Sequence, residues 1–303
     1  GDVYKRQAPH TAGTAEERLL AFIGGKSESS LLMDAFNILL EEDIFRTNPQ
    51  ALEKLTGWVN ARDAGRQPAA MYAMGSLLLA KDDLAGAVKM AEDGLSKYPQ
   101  SLPVQTLSLN TITTLLDKNR VEDAERLISK YPGTSPGLVF QQGALAFRKG
   151  DYPLAQSLFR EAARRASEKT AESALFNENL AALNANDAAG AAALVKEAAG
   201  SAQLREHILF EQAHYAAKRM NPQAPELLAS FVALATDPAL KTQARLDQAE
   251  VALNLNPPDL ETVQAILPPL EKEQLTPEQT MQLARLNILE AESRQEWPSA
   301  IQA

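Results

Sequence analysis

Apolar and polar residues alternate with the period of an amphipathic α-helix along most of the chain. The stretch GALAFRKGDYPLAQSLFREAA, residues 143–163, shows this most clearly. Apolar positions such as Leu154, Leu158 and Ala162 recur at helical spacing after a break at Lys149-Gly150-Asp151. Gly-Asp favours a turn followed by a helix N-terminus. The pattern therefore predicts two helices joined by a short turn.

The same pattern recurs along the whole chain. When each copy is aligned on a small or apolar residue one turn into its second helix, the anchors are Ala15, Ala51, Ala87, Ala124, Ala155, Ala191, Leu228, Val263 and Ala300. Successive anchors are separated by 36, 36, 37, 31, 36, 37, 35 and 37 residues. A period this steady is typical of stacked repeats, because one repeat cannot bury its apolar faces alone. The sequence therefore predicts an all-α solenoid of antiparallel helix pairs.

Turn-forming residues separate the two helices of each copy. They are Asp82-Asp83, Lys118-Asn119, Gly150-Asp151, Asn186-Asp187, Asn221-Pro222 and Pro257-Pro258. In two copies a proline, Pro99 or Pro132, follows the second helix and prevents it from continuing. The repeating unit is therefore a helix-turn-helix of about 35 residues.

The unit resembles the tetratricopeptide repeat, whose pattern places small residues, a Gly-Asp turn and large apolar residues at fixed positions. Residues 143–163 match this pattern at Gly143, Phe147, Gly150, Asp151, Tyr152, Ala155, Phe159 and Ala162. An upstream copy matches it at Gly75, Leu79, Leu84, Ala87, Gly94 and Pro99. Other copies depart from it, with Ile112 or Asn179 where the small residue is expected. The resemblance implies a right-handed superhelix of about eight to nine repeats.

Small residues in such repeats let the two helices of a pair approach closely. We therefore expect repeat-packing roles for Gly75, Ala87, Ala124, Gly143, Ala155, Phe159 and Ala191. Gly143 is predicted to face Ala155, so that a larger side chain at position 143 would overpack the crossing.

The two ends of the chain receive separate interpretations. Residues 1–7, GDVYKRQ, resemble translated sequencing-adapter sequence and are predicted to be a non-native or disordered tail. Residues 8–303 are predicted to form a single solenoid. The repeats begin within a second helix and stop inside another, so we expect an array that is truncated at both ends.

Composition narrows the classes of function. The formal net charge of −9 argues against a nucleic-acid-binding surface. The chain has no cysteine, which excludes disulfides, thiolate catalysis and Cys-ligated zinc. No apolar run has the length of a membrane-spanning helix. A cytoplasmic location and a bacterial periplasmic one both remain open.

One constellation suggests metal chemistry. His207, Glu211 and His214 lie at positions i, i+4 and i+7 of one predicted helix. The two histidines would be about 10 Å apart, which is far for one ion, so we favour a polar helix face with a Glu–His pair. We identify no phosphate-binding loop and no nucleophile elbow. We therefore expect no catalytic residue, metal or cofactor, and a protein that is not an enzyme.

The resemblance also implies where a partner would bind, because the first helices of such repeats line a concave groove. The corresponding positions are Tyr72, Ser76, Leu109, Thr113, Phe140, Ala144, Phe147, Phe176 and Leu180, with Leu79, Leu183, Gln248 and Arg285 as further candidates. Alternatively, these side chains fill the interface between neighbouring repeats.

The family's carboxylate-binding subclass is not matched. Only Asn110 and Asn177 fit it, while Leu109 and Phe176 replace its lysines. We therefore expect a protein or peptide partner that is neutral or apolar rather than an acidic C-terminus. Two alternatives remain open. The repeats could be the sensor or scaffold region of a larger bacterial envelope or secretion protein, or a regulatory region attached to an enzyme domain.

Overall fold

The computed structural model describes residues 14–25 and 30–294, and every regular element in this part of the chain is a helix. The chain divides into two compact units, residues 1–158 and 159–303, with the boundary inside one helix. None of the described helices is both long enough and apolar enough to cross a membrane. The predicted tail, residues 1–7, and the anchor Ala300 lie outside the described residues.

The helices follow one another with short connections. In the first unit they are α1 (Ala15–Gly25), α2 (Leu32–Glu41), α3 (Ile44–Thr47), α4 (Pro49–Asn60), α5 (Gln67–Ala80), α6 (Leu84–Lys97), α7 (Leu102–Asp117), α8 (Val121–Lys130), α9 (Pro136–Arg148) and the start of α10 (Tyr152–Arg165). In the second unit they are the end of α10, then α11 (Glu168–Asn184), α12 (Ala188–Glu197), α13 (Ala202–Lys218), α14 (Ala224–Leu234), α15 (Pro238–Leu253), α16 (Leu260–Leu270) and α17 (Pro277–Ser293).

Each unit is built from two layers of helices. In the first unit α2, α5, α7 and α9 pack side by side as a first-helix layer, and α4, α6 and α8 pack against it. In the second unit α11, α13, α15 and α17 form the first-helix layer, with α12, α14 and α16 against it. From α5 to α9 and from α11 to α17, each second helix thus contacts both first helices beside it, and neighbouring first helices contact each other, which is compatible with an α-solenoid.

The predicted anchors occupy the core of these helix pairs. Ala51, Ala87, Ala124, Ala155, Ala191, Leu228 and Val263 are all buried. Ala15 is exposed, because it is the first residue of α1 and the buried positions of that helix are Leu20 and Ile23. Gly143 and Phe159 are buried as well. This burial is what a repeat-packing role requires.

The turns lie where the sequence predicts them. Five first helices end at a residue with positive φ, namely Asp82, Asn119, Gly150, Asn186 and Met220, with φ of 61°, 57°, 78°, 58° and 52°. In each case the amide of the next residue donates to the carbonyl five residues earlier, at 2.7–3.0 Å. This is a Schellman-type helix end, in which a left-handed residue lets the chain reverse. The turn therefore repeats as a backbone conformation although its residue type varies.

Candidate functional site

The predicted groove residues of the first unit lie on α5, α7 and α9 and contact neighbouring helices. Tyr72 is buried, and its hydroxyl donates a hydrogen bond to Asn37 Oδ1 at 2.9 Å. Leu109 packs against the core. Thr113 is exposed, and its hydroxyl accepts a hydrogen bond from Gln141 Nε2 at 2.7 Å. These contacts join helices of the first-helix layer to one another.

The remaining predicted residues of this unit, Ser76, Phe140, Ala144 and Phe147, are half-buried. Ala144 packs against the core. The ring of Phe147 meets the ring of Tyr152 edge-to-face, with centroids 5.2 Å apart. Phe147 is therefore engaged with the start of the following helix.

Phe176 and Leu180 lie on α11 in the second unit, and both are half-buried. Phe176 forms one wall of an open cleft between the N-terminal parts of α11 and α13, and its ring meets His207 edge-to-face with centroids 6.3 Å apart. The cleft has a volume of about 330 Å³ and is lined by Lys169, Glu172, Ser173, Phe176, Asn177, Gln203, Leu204 and His207. We call it the α11–α13 cleft.

The lining of the α11–α13 cleft combines apolar side chains with a charge-balanced rim. Phe176 packs against a small core cluster that includes Leu204, and this packing restrains the position of its ring. Lys169 and Glu172 bring one positive and one negative charge to the lining. Ser173 is exposed, and its hydroxyl donates to the backbone carbonyl of Lys169 at 3.2 Å. An apolar wall with no net rim charge suits a neutral segment.

The side chain of His214 contacts Asp247, a residue that the sequence analysis did not single out. Its Nδ1 lies 2.6 Å from Oδ2 of Asp247 on α15, whose side chain is completely buried. The hydrogen bond to Asp247 raises the pKa of His214, and burial raises the pKa of Glu211. Within the described ranges no group of three His, Asp or Glu side chains is arranged to hold a metal ion. The only sequence signal for the pair is its separation of 33 residues, close to one repeat.

One sequence motif also went unrecognised. Residues 133–137, Gly-Thr-Ser-Pro-Gly, have the Gly-x-Ser-x-Gly spacing of a nucleophile elbow. Such an elbow requires a strand before the serine, and here helix α8 precedes it. Ser135 is instead the N-cap of α9, and its hydroxyl accepts a hydrogen bond from the amide of Leu138 at 3.2 Å. The serine therefore caps a helix.

A larger cleft lies in the first unit, at the N-terminal ends of α2, α5 and α7. It has a volume of about 600 Å³, and its lining includes Met33, Pro68, Tyr98, Pro99, Leu102 and Pro103. Leu102 is 67% exposed. None of the predicted groove residues lines this cleft. Sequence reasoning missed it because Pro99 had been interpreted only as a helix stop.

No family model matches the chain, and no curated protein matches its sequence.

Proposed function

We propose that the chain is a non-enzymatic interaction scaffold, a right-handed solenoid of tetratricopeptide-like repeats that binds a peptide or partner segment on its first-helix layer. The observation that carries this proposal is the α11–α13 cleft, where the half-buried side chain of Phe176 lies between two consecutive first helices. Its volume of about 330 Å³ is at the lower end of the range of ligand pockets, about 300–1,000 Å³. That volume suits the side chains of a short segment rather than a large ligand.

The chemistry of the cleft favours a neutral segment with an apolar anchor. Phe176 and Leu204 offer apolar contact, and partly exposed aromatic side chains in a pocket are frequent energetic centres of protein interfaces. Because Lys169 and Glu172 carry opposite charges, an acidic peptide end would gain little net attraction from the lining.

The experiment is selection of displayed random peptides on the full chain, followed by affinity measurement on two matched variants. Ser173→Trp fills the α11–α13 cleft from an exposed position, which spares the core. Ser157→Trp is its control, since Ser157 is also exposed on a helix and its hydroxyl likewise donates to a carbonyl of its own helix. Selected peptides are expected to lose at least about tenfold in affinity for Ser173→Trp, or about 1.4 kcal/mol, and none for Ser157→Trp.

Two results would count against the α11–α13 cleft. One is equal affinity of the selected peptides for both tryptophan variants. The other is loss of binding in Leu102→Ser, which changes an exposed residue of the larger cleft and would assign binding to the first unit. A synthetic peptide with an amidated C-terminus should bind as well as its free-acid form, because the proposal requires no carboxylate recognition.

A further inference from the structure

A buried carboxylate joins three first helices of the second unit. The side chain of Asp247 on α15 has no solvent exposure, and its Oδ2 lies 2.6 Å from His214 Nδ1 on α13. Its other oxygen, Oδ1, accepts hydrogen bonds from Gln243 Nε2 at 3.2 Å and from Gln282 Nε2 of α17 at 3.5 Å. Lys218 Nζ is 3.8 Å from the same oxygen and 3.0 Å from Glu250 Oε2. The imidazole of His214 is therefore the partner close to Asp247 whose own charge changes when it gains or loses a proton.

Charged groups act on the His214 ring from two helices, α13 and α15. From its own helix Glu211 and Lys218 act on it, and from α15 Asp247 does so. Toward α14 the ring of Phe210 stacks on the imidazole at 5.4 Å and is backed by Phe231. Hence α14 contributes an apolar contact there.

Toward α11 and α12, the side chain of Gln212 on α13 makes neutral contacts. Gln212 Nε2 donates to Asn179 Oδ1 on α11 at 2.9 Å and to the carbonyl oxygen of Ala191 on α12 at 2.8 Å. Asp247 and Glu211 thus act on the imidazole, whereas the ammonium group of Lys218 lies closer to Glu250 than to Asp247.

Removing a proton from this cluster weakens it, because a buried carboxylate is stable only with a charged or well-hydrogen-bonded partner. The side chain of His214 is 29% exposed, so its ring can exchange protons with solvent while Asp247 stays covered. A neutral imidazole still donates a hydrogen bond from Nδ1, but it no longer offsets the charge of Asp247.

We propose that His214 and Asp247 form a proton-controlled latch between α13 and α15, which is closed while the imidazole is protonated and weakened when the proton leaves. The latch concerns the packing of two helices and needs no ligand, so it stands apart from the proposed peptide binding.

The direction of the pH effect follows from linkage. The hydrogen bond to Asp247 raises the pKa of His214, so the folded state holds its proton more tightly than the unfolded chain does. The resulting stabilisation is complete below the unfolded pKa of about 6.5 and is lost as the pH rises through the folded pKa. Burial raises the pKa of Glu211, which gives an effect of the same sign in a lower pH range.

The experiment measures hydrogen–deuterium exchange of α13 and α15 in the full chain between about pH 6 and 8.5, corrected for the intrinsic exchange rate. Protection of these helices is expected to fall with rising pH, by up to about tenfold for each unit by which the pKa of His214 exceeds 6.5. In His214→Gln this fall should be absent. His207→Gln, a substitution on the same helix away from Asp247, should retain it.

A second measurement keeps the proposal testable if His214→Gln folds poorly. Nitrogen-15 NMR of the wild-type protein follows the His214 ring, which is assigned through its contact with Phe210. A titration midpoint above about 6.5 supports the latch, and a midpoint at or below that value overturns it. The latch is also overturned if His214→Gln shows the same pH-dependent loss of protection as the wild type.

Discussion

The contact between α5 and α7 at Gly75 allows a quantitative test of how consecutive repeats pack. A Cβ atom at position 75 would lie 2.3 Å and 2.6 Å from the two Cδ atoms of Leu107 and 3.0 Å from its Cγ. Non-bonded carbon atoms normally stay about 3.5–4.0 Å apart. Because Leu107 is fully buried, its side chain has no path into solvent. We therefore predict that Gly75→Ala forces either this leucine or the two helices to move.

The expected cost has two parts of opposite sign. Overpacking a well-packed core costs about 1–3 kcal/mol. Alanine in place of glycine inside a helix gains about 1 kcal/mol, so the net loss is about 0–2 kcal/mol. Gly57 in α4 separates the two parts, since no heavy atom outside its own stretch of helix lies within 4 Å of a Cβ there. Gly57→Ala should gain about 1 kcal/mol, and the difference between the variants, about 1–3 kcal/mol, isolates the overpacking.

Urea unfolding followed by far-ultraviolet circular dichroism measures both variants, with the midpoint and slope reported separately. A double-mutant cycle adds a second readout. Leu107→Ala alone is expected to cost about 2–5 kcal/mol through the cavity that it leaves. Combined with Gly75→Ala it should cost about 1–3 kcal/mol less than the sum, because the new methyl group no longer meets the leucine. The reasoning is refuted if Gly75→Ala and Gly57→Ala change stability alike and the two substitutions in the cycle are additive.

Two further substitutions test the turns and the buried charges. Met220→Gly should raise the free energy of unfolding by about 0.5–1 kcal/mol, because Met220 has a left-handed backbone conformation that glycine adopts without steric cost; an unchanged or lower urea midpoint would contradict this. Arg160 Nε contacts the fully buried Glu178 at 2.6 Å. Arg160→Met should therefore cost about 3–5 kcal/mol at neutral pH, because it leaves this carboxylate without its cation. Burial raises the pKa of Glu178, so the loss of stability in Arg160→Met should shrink as the pH falls. The double variant Arg160→Met/Glu178→Gln should recover most of the lost stability. A loss that is independent of pH and of Glu178 would argue against the charge explanation.

The elements predicted from sequence are those that depend on nearby residues. The turn at Gly150-Asp151 follows from a residue that tolerates positive φ and a residue that caps the next helix. A short stretch of sequence is therefore enough to predict it. The turn at Met220 was placed correctly from the neighbouring Asn221-Pro222, although methionine itself gives no such signal. Helix existence and spacing were predictable for the same reason.

Pairings between repeats could not be predicted in this way. The closest neighbour of a Cβ at Gly75 is Leu107, a residue of the next helix pair, and not the anchor Ala87 of its own pair. Likewise, His214 shares a predicted face with Glu211, yet its close hydrogen bond goes to Asp247 on another helix. Such partners depend on the rotation of each helix about its axis, and a register error of one residue turns a helix face by about 100°.

The polar contacts of the second unit bear on the proposed peptide binding, because they link neighbouring helices of the first-helix layer. Neighbouring first helices are linked at intervals of 32–35 residues, by Asn179 with Gln212, His214 with Asp247, Lys218 with Glu250 and Glu250 with Arg285. Side chains engaged in these links would have to exchange them for contacts with a ligand, which reduces the net gain from binding. In the α11–α13 cleft the two helices leave an open space beside Phe176 instead. A partner segment that entered this space would gain apolar contact without breaking a link between repeats, and this difference is the physical reason to propose recognition there.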